Sequence, residues 1–322
     1  MKAIVQDAYG QVDVLRLAEV PVPTPGSREV VVEVVAAGVD AGAVHLMTGT
    51  PYLARAVFGL RRPRNPILGL AFAGRVKSVG SDVSGLAVGD EVFGVAKGSF
   101  AQFARARADR VIPKPPSITF EQAAALPVSA VTALQAVRDK GKITAGQSVL
   151  ITGAGGGVGC YAVQLAKAAG ASVTGLCSAR KEELVRGLGA DDIIDFRSDD
   201  FADGARQWDV ILDIAGNRAL RELRRALADD GTIVLVGGEA GGPFLGGMER
   251  NLGAGLTAPF TGLRVRTLAS VDRAEDLACV ADLVTSGALR PVVDKVFPLA
   301  DAAHAVRYVQ EGRSCGKTVI SG

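Results

Sequence analysis

The stretch Ser148-Val-Leu-Ile-Thr-Gly153-Ala-Gly155-Gly156-Gly157-Val-Gly159 decides the fold of this 322-residue chain. A short apolar segment runs into glycines and then into a helical pattern over residues 158–169. Gly153, Gly156 and Gly159 have the spacing G-x-x-G-x-x-G, and from Ala154 the stretch also reads A-x-G-x-x-G.

Glycine is needed where the backbone turns sharply, approaches a pyrophosphate or packs a helix against a strand, and the helix N-terminus then supplies free N–H groups. The predicted dinucleotide contacts are Gly153, Gly155, Gly156, Gly157, Val158 and Gly159. The alternative is a glycine-rich turn that binds nothing.

Strands and helices alternate around this stretch. Strands are predicted over 148–152, 172–176, 192–195, 209–213, 232–236 and 264–269, and helices over 158–169, 182–188 and 219–227. Such alternation is typical of a parallel sheet that is covered on both faces. The glycine-rich segment 237–247 predicts a loop.

The first part of the chain has a different pattern. Short β-branched runs such as 30–36, 75–79 and 91–95 are separated by Gly and Pro, which indicates an all-β domain with spacing suited to a small barrel. A helical pattern then extends from Phe120 through Lys140. The last segments, strands 292–297 and 317–320 with a helix over about 301–311, are predicted to return to the first domain. The expected domains are therefore 1–117 with 291–322, and 118–290.

Composition narrows the possible partners. Lys plus Arg number 36 against 34 Asp plus Glu, so the net charge of +2 gives no broad field that steers the chain onto nucleic acid or a membrane. The partner is expected to be a small molecule. Four cysteines without a C-x-x-C pair, and two histidines, fit neither a zinc site of closely spaced ligands nor a secreted disulfide framework. Without a signal peptide or a long apolar run, the expected location is cytoplasmic.

The end of the second predicted strand indicates which dinucleotide binds. An acidic residue there would hold the ribose 2′-hydroxyl of NAD, whereas basic residues accept the 2′-phosphate of NADP. The sequence reads Leu-Cys-Ser178-Ala-Arg180-Lys181, with no carboxylate before Glu182. We therefore expect NADPH, with Ser178, Arg180 and Lys181 as its ligands. The alternative is that Arg180 and Lys181 form a solvated helix start.

Three segments together resemble one superfamily: Gly-Ala-Gly-Gly-Gly-Val-Gly-Cys-Tyr-Ala-Val-Gln-Leu-Ala-Lys from Gly153, Leu-Gly-Ala-Asp-Asp-Ile-Ile-Asp from Leu188 and Val-Gly-Asp-Glu-Val-Phe-Gly from Val88. They resemble the medium-chain dehydrogenase/reductase superfamily and its zinc-independent, quinone oxidoreductase-like branch. The resemblance implies a GroES-like β-barrel domain closed by the C-terminal strands, and a Rossmann domain with a doubly wound parallel sheet. It also implies NADPH-dependent reduction of a quinone or of a C=C bond conjugated to a carbonyl, by a homodimer.

The resemblance also assigns further residues. It implies that Thr132 lies near the nicotinamide, that the loop after the fourth parallel strand borders the cofactor, and that the segment after the next strand lies beside the carboxamide. These contacts are Asp213, Gly216, Asn217, Val236, Gly237 and Gly238. Ordinary helix capping by Thr132 and strand-end turns at the glycines are the alternatives. Asp40 stands where zinc-dependent relatives carry a cysteine ligand, and Gly69-Leu70-Ala71 stands where they carry Gly-His-Glu, so no metal is expected.

Around the candidate catalytic residues the sequence departs from the family pattern. The usual Val-Asn-Pro-x-Asp-Trp-His is here Val39-Asp40-Ala41-Gly42-Ala43-Val44-His45, and Ala71 replaces a usual Asp. Asp40 is the candidate general acid or base, with a backbone-capping aspartate as the alternative. Tyr52 is a candidate proton donor, with packing as the alternative. His45 is a weaker candidate, for which a structural role is favoured.

These observations leave three functional interpretations. The leading one is an NADPH-dependent reductase of an enone, quinone or related carbonyl compound, with an expected role in specialised metabolism. The second is a non-redox rearrangement, elimination or cyclisation with Asp40 as the acid or base. The third is a non-enzymatic NADPH-binding or sensor protein. Arg55, Arg61, Arg62 and Arg64 lie in the 52–66 loop, where a solvated basic loop is favoured over a grip on an anionic substrate.

Overall fold

A computed structural model describes residues 1–237 and 264–322. The chain divides into two compact units: a first unit of residues 1–131 with 272–322, and a second unit of residues 132–271. These limits differ from the sequence-based boundaries at 117 and 291. The helix Phe120–Ala124 lies against strands of the first unit, and so does the helix Ala274–Thr285. Because of these contacts both helices belong to the first unit, whereas the sequence-based boundaries place them in the second domain.

The strands of the described residues are β1 (Lys2–Val5), β2 (Arg16–Glu19), β3 (Glu29–Val39), β4 (Ala71–Val79), β5 (Glu91–Val95), β6 (Phe103–Arg107), β7 (Val111–Pro113), β8 (Ser148–Thr152), β9 (Ser172–Cys177), β10 (Asp192–Asp195), β11 (Trp208–Asp213), β12 (Leu227–Leu235), β13 (Arg264–Thr267), β14 (Val293–Pro298) and β15 (Lys317–Ser321). The helices are α1 (Ala41–Thr48), α2 (Arg55–Phe58), α3 (Phe120–Ala124), α4 (Ser129–Leu134), α5 (Gly159–Ala168), α6 (Glu182–Gly187), α7 (Leu220–Arg225), α8 (Ala274–Thr285) and α9 (Ala302–Gln310), with a π-helix at Gln135–Gly141.

The first unit is built on a sheet with the order β14-β15-β3-β4-β5-β7, in which β6 also pairs with β3. Strand β15 runs antiparallel to β3, with Thr318 opposite Val39, so the end of the chain lies beside its longest early strand. The core holds alternate residues of β3, such as Val30 and Val32, together with Phe72 and Phe100. Helix α9 adds one apolar face to this core, which is the arrangement expected of an amphipathic helix.

The second unit is a parallel sheet with the order β10-β9-β8-β11-β12-β13. Strand β8 has β9 on one side and β11 on the other, which makes its carboxyl end the point where the strand order reverses. Ligands of open α/β sheets bind at such a point. The sheet core includes Leu150, Ile211 and Trp208, whose indole Nε1 donates to Thr174 Oγ1 at 3.1 Å.

The predicted fold class, a β unit with a doubly wound parallel-sheet unit, is confirmed. The predicted strands 148–152 and 192–195 have the observed bounds. The single helical pattern predicted from Phe120 to Lys140 is wrong, because Pro127 separates α3 from α4 and the pattern then continues as a π-helix. Apart from Gly237, the predicted loop 237–247 lies outside the described residues.

Candidate functional site

The glycine turn, residues 153–159, occupies the carboxyl end of β8 and leads directly into α5. Gly153 has a φ of +66°, a conformation in which side chains are strained. Its carbonyl accepts a hydrogen bond from the N–H of Gly156 at 2.9 Å. A Cβ atom on Gly159 would lie 2.2 Å from the same carbonyl oxygen. The backbone therefore folds back on itself where a helix begins, and any side chain at Gly159 would collide with it.

Lys181 lies against this turn. A Cβ atom on Gly155 would come within 2.7 Å of Lys181 Cβ and 2.8 Å of its Cδ. Lys181 is half-buried, Arg180 is exposed and Ser178 is buried at the end of β9. The structure thus brings one of the predicted cations to the glycine turn and places all three predicted ligands at the same edge of the sheet.

Carboxylates border this cationic edge. Asp195 lies opposite Cys177 in the β9–β10 register, and its Oδ2 accepts a hydrogen bond from the N–H of Ala179 at 3.2 Å. Burial, followed by the charges of Asp195 and Glu182, raises the pKa of the Cys177 thiol to about 11. Cys177 is therefore a neutral thiol near pH 7, and the charges at this edge come from residues 180–182 and Asp195.

Asp213 connects neighbouring loops from inside the sheet. It is fully buried, and its Oδ1 accepts a hydrogen bond from the Thr152 hydroxyl at 2.9 Å. Its carbonyl accepts from the N–H groups of Val236 at 3.1 Å and Gly237 at 3.2 Å. A Cβ atom on Gly237 would lie 2.1 Å from the Ile214 carbonyl oxygen. The Asp213 carboxylate thus holds the end of β8 through Thr152, while its backbone carbonyl holds the segment that follows β12.

The remaining predicted cofactor residues occupy different settings. Gly216 is buried with a φ of +65°, whereas Asn217 is exposed. Thr132 lies on α4 and donates to Ser270 Oγ at 3.1 Å, which ties the helix to the segment after β13. Gly238 lies outside the described residues.

Sequence reasoning did not select Phe196 and Arg218. Phe196 directly follows β10, and its N–H donates to the Cys177 carbonyl at 3.2 Å. The Arg218 guanidinium stands 5.5 Å from the centroid of its half-exposed ring. An aromatic face and a guanidinium can stack on a base and bind phosphate. The signal in the sequence was an aromatic residue immediately after a strand that ends at the same sheet edge as β8.

In the first unit, Asp40 belongs to a buried polar cluster with Ser129 and Lys317. Asp40 Oδ1 forms an ion pair with the Lys317 ammonium and accepts a hydrogen bond from Ser129 Oγ at 2.8 Å. Lys317 also donates to Ser129 Oγ at 2.9 Å and to the Val39 carbonyl at 3.1 Å. These three side chains, which we call the Asp40 cluster, join the end of β3, the start of α4 and strand β15.

The second carboxylate oxygen, Asp40 Oδ2, is buried, and no described residue of 1–237 or 264–322 forms a hydrogen bond with it. Although Asp40 immediately precedes α1, its side chain makes no capping bond to that helix. The capping alternative for Asp40 is therefore wrong, because the carboxylate turns towards Lys317 instead. A buried acceptor without a donor is costly to the folded state.

His45 and Tyr52 lie around the C-terminal end of α1. His45 Nδ1 is 3.1 Å from the Thr50 carbonyl oxygen, and the His45 carbonyl accepts the closing hydrogen bond from the N–H of Gly49. Tyr52 is exposed, and the Arg55 guanidinium stacks 4.3 Å from its ring centroid. These contacts are the kind that hold a helix end, and neither residue is hydrogen-bonded to the Asp40 cluster within the described chain.

A small cleft of the first unit holds a second carboxyl group. It is lined by Val95, Val131 and Leu277 together with Asp272 and Arg110. Arg110 Nη1 lies 3.5 Å from Asp272 Oδ2. Burial raises the pKa of Asp272, the Arg110 charge lowers it and the Asp40 charge raises it, with a net increase.

Over residues 1–237 and 264–322, no three His, Cys, Asp or Glu side chains are placed to hold a metal ion. The cation beside Asp40 is the Lys317 ammonium. Across the same described ranges, no helix combines the length and apolar character that crossing a membrane requires.

Comparison with known proteins identifies the family. Residues 26–116 match the alcohol dehydrogenase GroES-like domain, and residues 188–320 match the family described as zinc-binding dehydrogenase. The chain is 33% identical over 360 residues to the mitochondrial NAD(P)H oxidoreductase RTN4IP1 of Homo sapiens, covering 100% of this chain and 89% of that protein. The chain belongs to the medium-chain dehydrogenase/reductase superfamily, as its sequence resemblance predicted, and is an oxidoreductase in the broad sense.

Two solved structures are similar to this chain over nearly its whole length. The Escherichia coli quinone oxidoreductase, in complex with NADPH, superposes with a TM-score of 0.87 at 25% identity and covers 100% of both chains. The CurK enoyl reductase superposes with a TM-score of 0.88 at 27% identity, covering 99% of this chain and 98% of that one. The GroES-like and Rossmann assignments are thereby confirmed.

Proposed function

We propose that the protein is an NADPH-dependent, zinc-independent reductase of quinones, enones or related carbonyl compounds, with a role in specialised metabolism. The observation that carries the proposal is the glycine turn at the strand-order reversal, with the Lys181 side chain lying against Gly155. A glycine-rich turn at the start of α5, against the aliphatic part of a lysine side chain, is suited to a pyrophosphate.

The residues of the second unit fit the cofactor along the sheet edge. The glycine turn would hold the pyrophosphate at the N-terminus of α5. Ser178, Arg180 and Lys181 would bind the 2′-phosphate, with Phe196 and Arg218 on the adenine side. When bound, NADPH supplies a hydride to an electron-poor carbon.

NADPH is preferred to NADH on electrostatic grounds. Arg180 and Lys181 add two positive charges directly after β9, where NAD-binding proteins usually place a carboxylate. Asp195 and Glu182 are close enough to influence Cys177, but Asp195 is engaged by the N–H of Ala179. The Escherichia coli neighbour, whose structure contains NADPH, gives further support.

The proposed substrate class is supported by the same comparisons and by small residues of the first unit. The neighbours named quinone oxidoreductase and enoyl reductase both act on unsaturated systems, as their names state. The small residues Ala41 and Ala43, with Ala71 on β4, replace larger or polar residues of the family pattern. They favour a substrate bulkier than the usual one, which supports a role in specialised metabolism.

The test is a substrate panel with the purified full chain. We expect quinones and enones to oxidise NADPH, followed at 340 nm, with one mole of reduced product per mole of cofactor. NADPH binding without turnover of any compound would instead favour a sensor protein. A requirement for added zinc after chelation would contradict zinc independence.

A second candidate function is favoured by Asp40 Oδ2. This buried acceptor could take a proton from a substrate carbon or hydroxyl, so that a rearrangement, elimination or cyclisation proceeds without net cofactor consumption. Product formed without NADPH oxidation would support it. Asp40→Asn should then abolish turnover and its dependence on pH, whereas an Asp40 that serves only the ion pair would leave the pH profile unchanged.

Assembly and location are further parts of the proposal. We propose that the protein forms a homodimer. Its proposed partner is a small-molecule substrate and not nucleic acid. Strand β13 pairs with β12 alone among the described strands, which leaves an edge for a second copy. Light scattering of the purified chain tests the dimer. The cytoplasmic location remains a prediction, and the human relative is named mitochondrial.

A further inference from the structure

Exposed apolar side chains of the first unit are concentrated around α2. Five large apolar residues within nine positions each expose between 39% and 74% of their surface: Tyr52, Leu53, Val57, Phe58 and Leu60. Such concentration on a folded protein marks an interaction surface, whereas single exposed apolar residues are ordinary. We call residues 52–64 the apolar-basic segment.

Contacts with the rest of the unit hold this segment in a fixed conformation. The Arg55 guanidinium lies 4.3 Å from the ring centroid of Tyr52 and 4.5 Å from that of Tyr9, and its Nε donates to the Gly49 carbonyl at 2.8 Å. The Tyr9 hydroxyl donates to the Gly59 carbonyl at 2.7 Å. The apolar side chains are thus presented by an ordered turn.

The segment also carries unbalanced positive charge. Arg61, Arg62 and Arg64 are exposed, and in the described part of the chain no carboxylate lies within ion-pair distance of any of them. By contrast, Arg75 on β4 pairs with Glu91 at 2.9 Å. The sequence holds no Asp or Glu between Asp40 and Asp82. The net charge of the whole chain is only +2, so it does not indicate the positive charge that is concentrated in this segment.

We propose that the apolar-basic segment docks the protein on an anionic lipid bilayer surface. Apolar side chains beside arginines are the combination that enters the boundary between headgroups and acyl chains and attracts anionic lipid. Residues 52–64 contain no Ser, Thr, Asn, Gln, Asp or Glu, so apart from the Tyr52 hydroxyl the polar side chains of the segment are all arginines. Guanidinium groups without neighbouring carboxylates suit a surface of anionic headgroups.

The test is co-sedimentation of the full chain with two kinds of vesicle. We expect binding to phosphatidylcholine vesicles containing roughly a third phosphatidylglycerol, and none to phosphatidylcholine alone. Binding should weaken in high salt. Each of Arg61→Gln and Arg62→Gln should lower the affinity about fivefold, the effect of one cation near such a surface. Leu53→Ser combined with Val57→Ser and Leu60→Ser should lower it at least about tenfold.

Matched controls are exposed apolar residues elsewhere in the first unit, Val88→Ser and Val296→Ser. Equal loss of binding in these controls would overturn the proposal, as would equal binding to both vesicles or to neither. Binding to polyglutamate but not to vesicles would identify an acidic protein as the partner instead. The triple serine variant should keep the NADPH oxidation of a water-soluble quinone, so a failure of docking is distinguishable from a failure of the proposed reductase activity.

Discussion

The glycine turn of the second unit and the Asp40 cluster of the first unit both lie at the end of a central strand, but they are assembled differently. The turn is made from seven consecutive residues, and its conformation depends on the five glycines among them. The Asp40 cluster joins side chains 89 and 277 positions apart along the chain. A consecutive motif can be recognised from sequence, whereas a cluster formed by distant strands requires the fold.

Among the substitutions that test this difference between the two sites, one at Lys317 should cause the largest loss of stability. Lys317→Met leaves the Asp40 carboxylate buried without its cation, which should cost about 3–5 kcal/mol of the free energy of unfolding. Hydrogen exchange at β3 and β15 measures the loss. The single tryptophan, Trp208, is buried in the second unit and reports that unit separately by fluorescence during urea unfolding.

The control is the double variant with Asp40→Asn, which removes both charges and should recover part of the stability. If Lys317→Met weakened the second unit as much as β3 and β15, the assignment of the cluster to the first unit alone would be contradicted.

Gly159→Ala should have the next largest effect. Its Cβ would lie 2.2 Å from the Gly153 carbonyl oxygen and 2.8 Å from Ala154 backbone atoms, so the turn must move. Overpacking of this kind costs about 1–3 kcal/mol. Trp208 fluorescence should show the loss, and calorimetry should show weaker NADPH binding. Gly156→Ala is the matched variant for stability, because its nearest contact is 3.2 Å from the new Cβ. Equal destabilisation by the two variants would show that close backbone contact is not the cause.

Arg180→Ala with Lys181→Ala tests the charge of the sheet edge. Loss of charge-assisted contacts to a 2′-phosphate should lower the NADPH-to-NADH ratio of kcat/KM at least about tenfold. The control is Arg186→Ala, one helical turn further along, where the guanidinium is paired with Glu182 at 2.9 Å. An unchanged ratio in the double variant, or an equal change in the control, would contradict the assignment.

The smallest expected effect concerns Asp272. Because burial raises its pKa, protonated Asp272 favours the folded state at low pH. This contribution is present below the pKa of the unfolded chain and is lost as the pH rises through the folded pKa. Asp272→Asn removes the titration, so its stability relative to wild type should increase slightly from pH 3 to pH 7, since the side chain is partly solvated. Urea unfolding across this range measures the difference. A change of the opposite sign would contradict the raised pKa.

Much of the second unit follows from the sequence because its signals are local. Strand β8 and the alternation around it are visible in the hydrophobic pattern, and the glycines mark the turn. Helix α1 was not predicted, because its small residues 41–43 carry little periodic signal. Phe196 and Arg218 were not selected, because only the register of β9 and β10 brings Phe196 beside Cys177.

The sequence by itself determined the glycine turn, the parallel-sheet pattern and the cationic residues after β9, since each depends on neighbours within a few positions. Only the tertiary structure decided that Asp40 is partnered by Lys317 and Ser129, and that five apolar side chains near α2 stay exposed. The physical reason is that burial and ion pairing depend on which distant strands pack together. A carboxylate near the end of β3 has the same local sequence whether it meets an ammonium, a backbone amide or water.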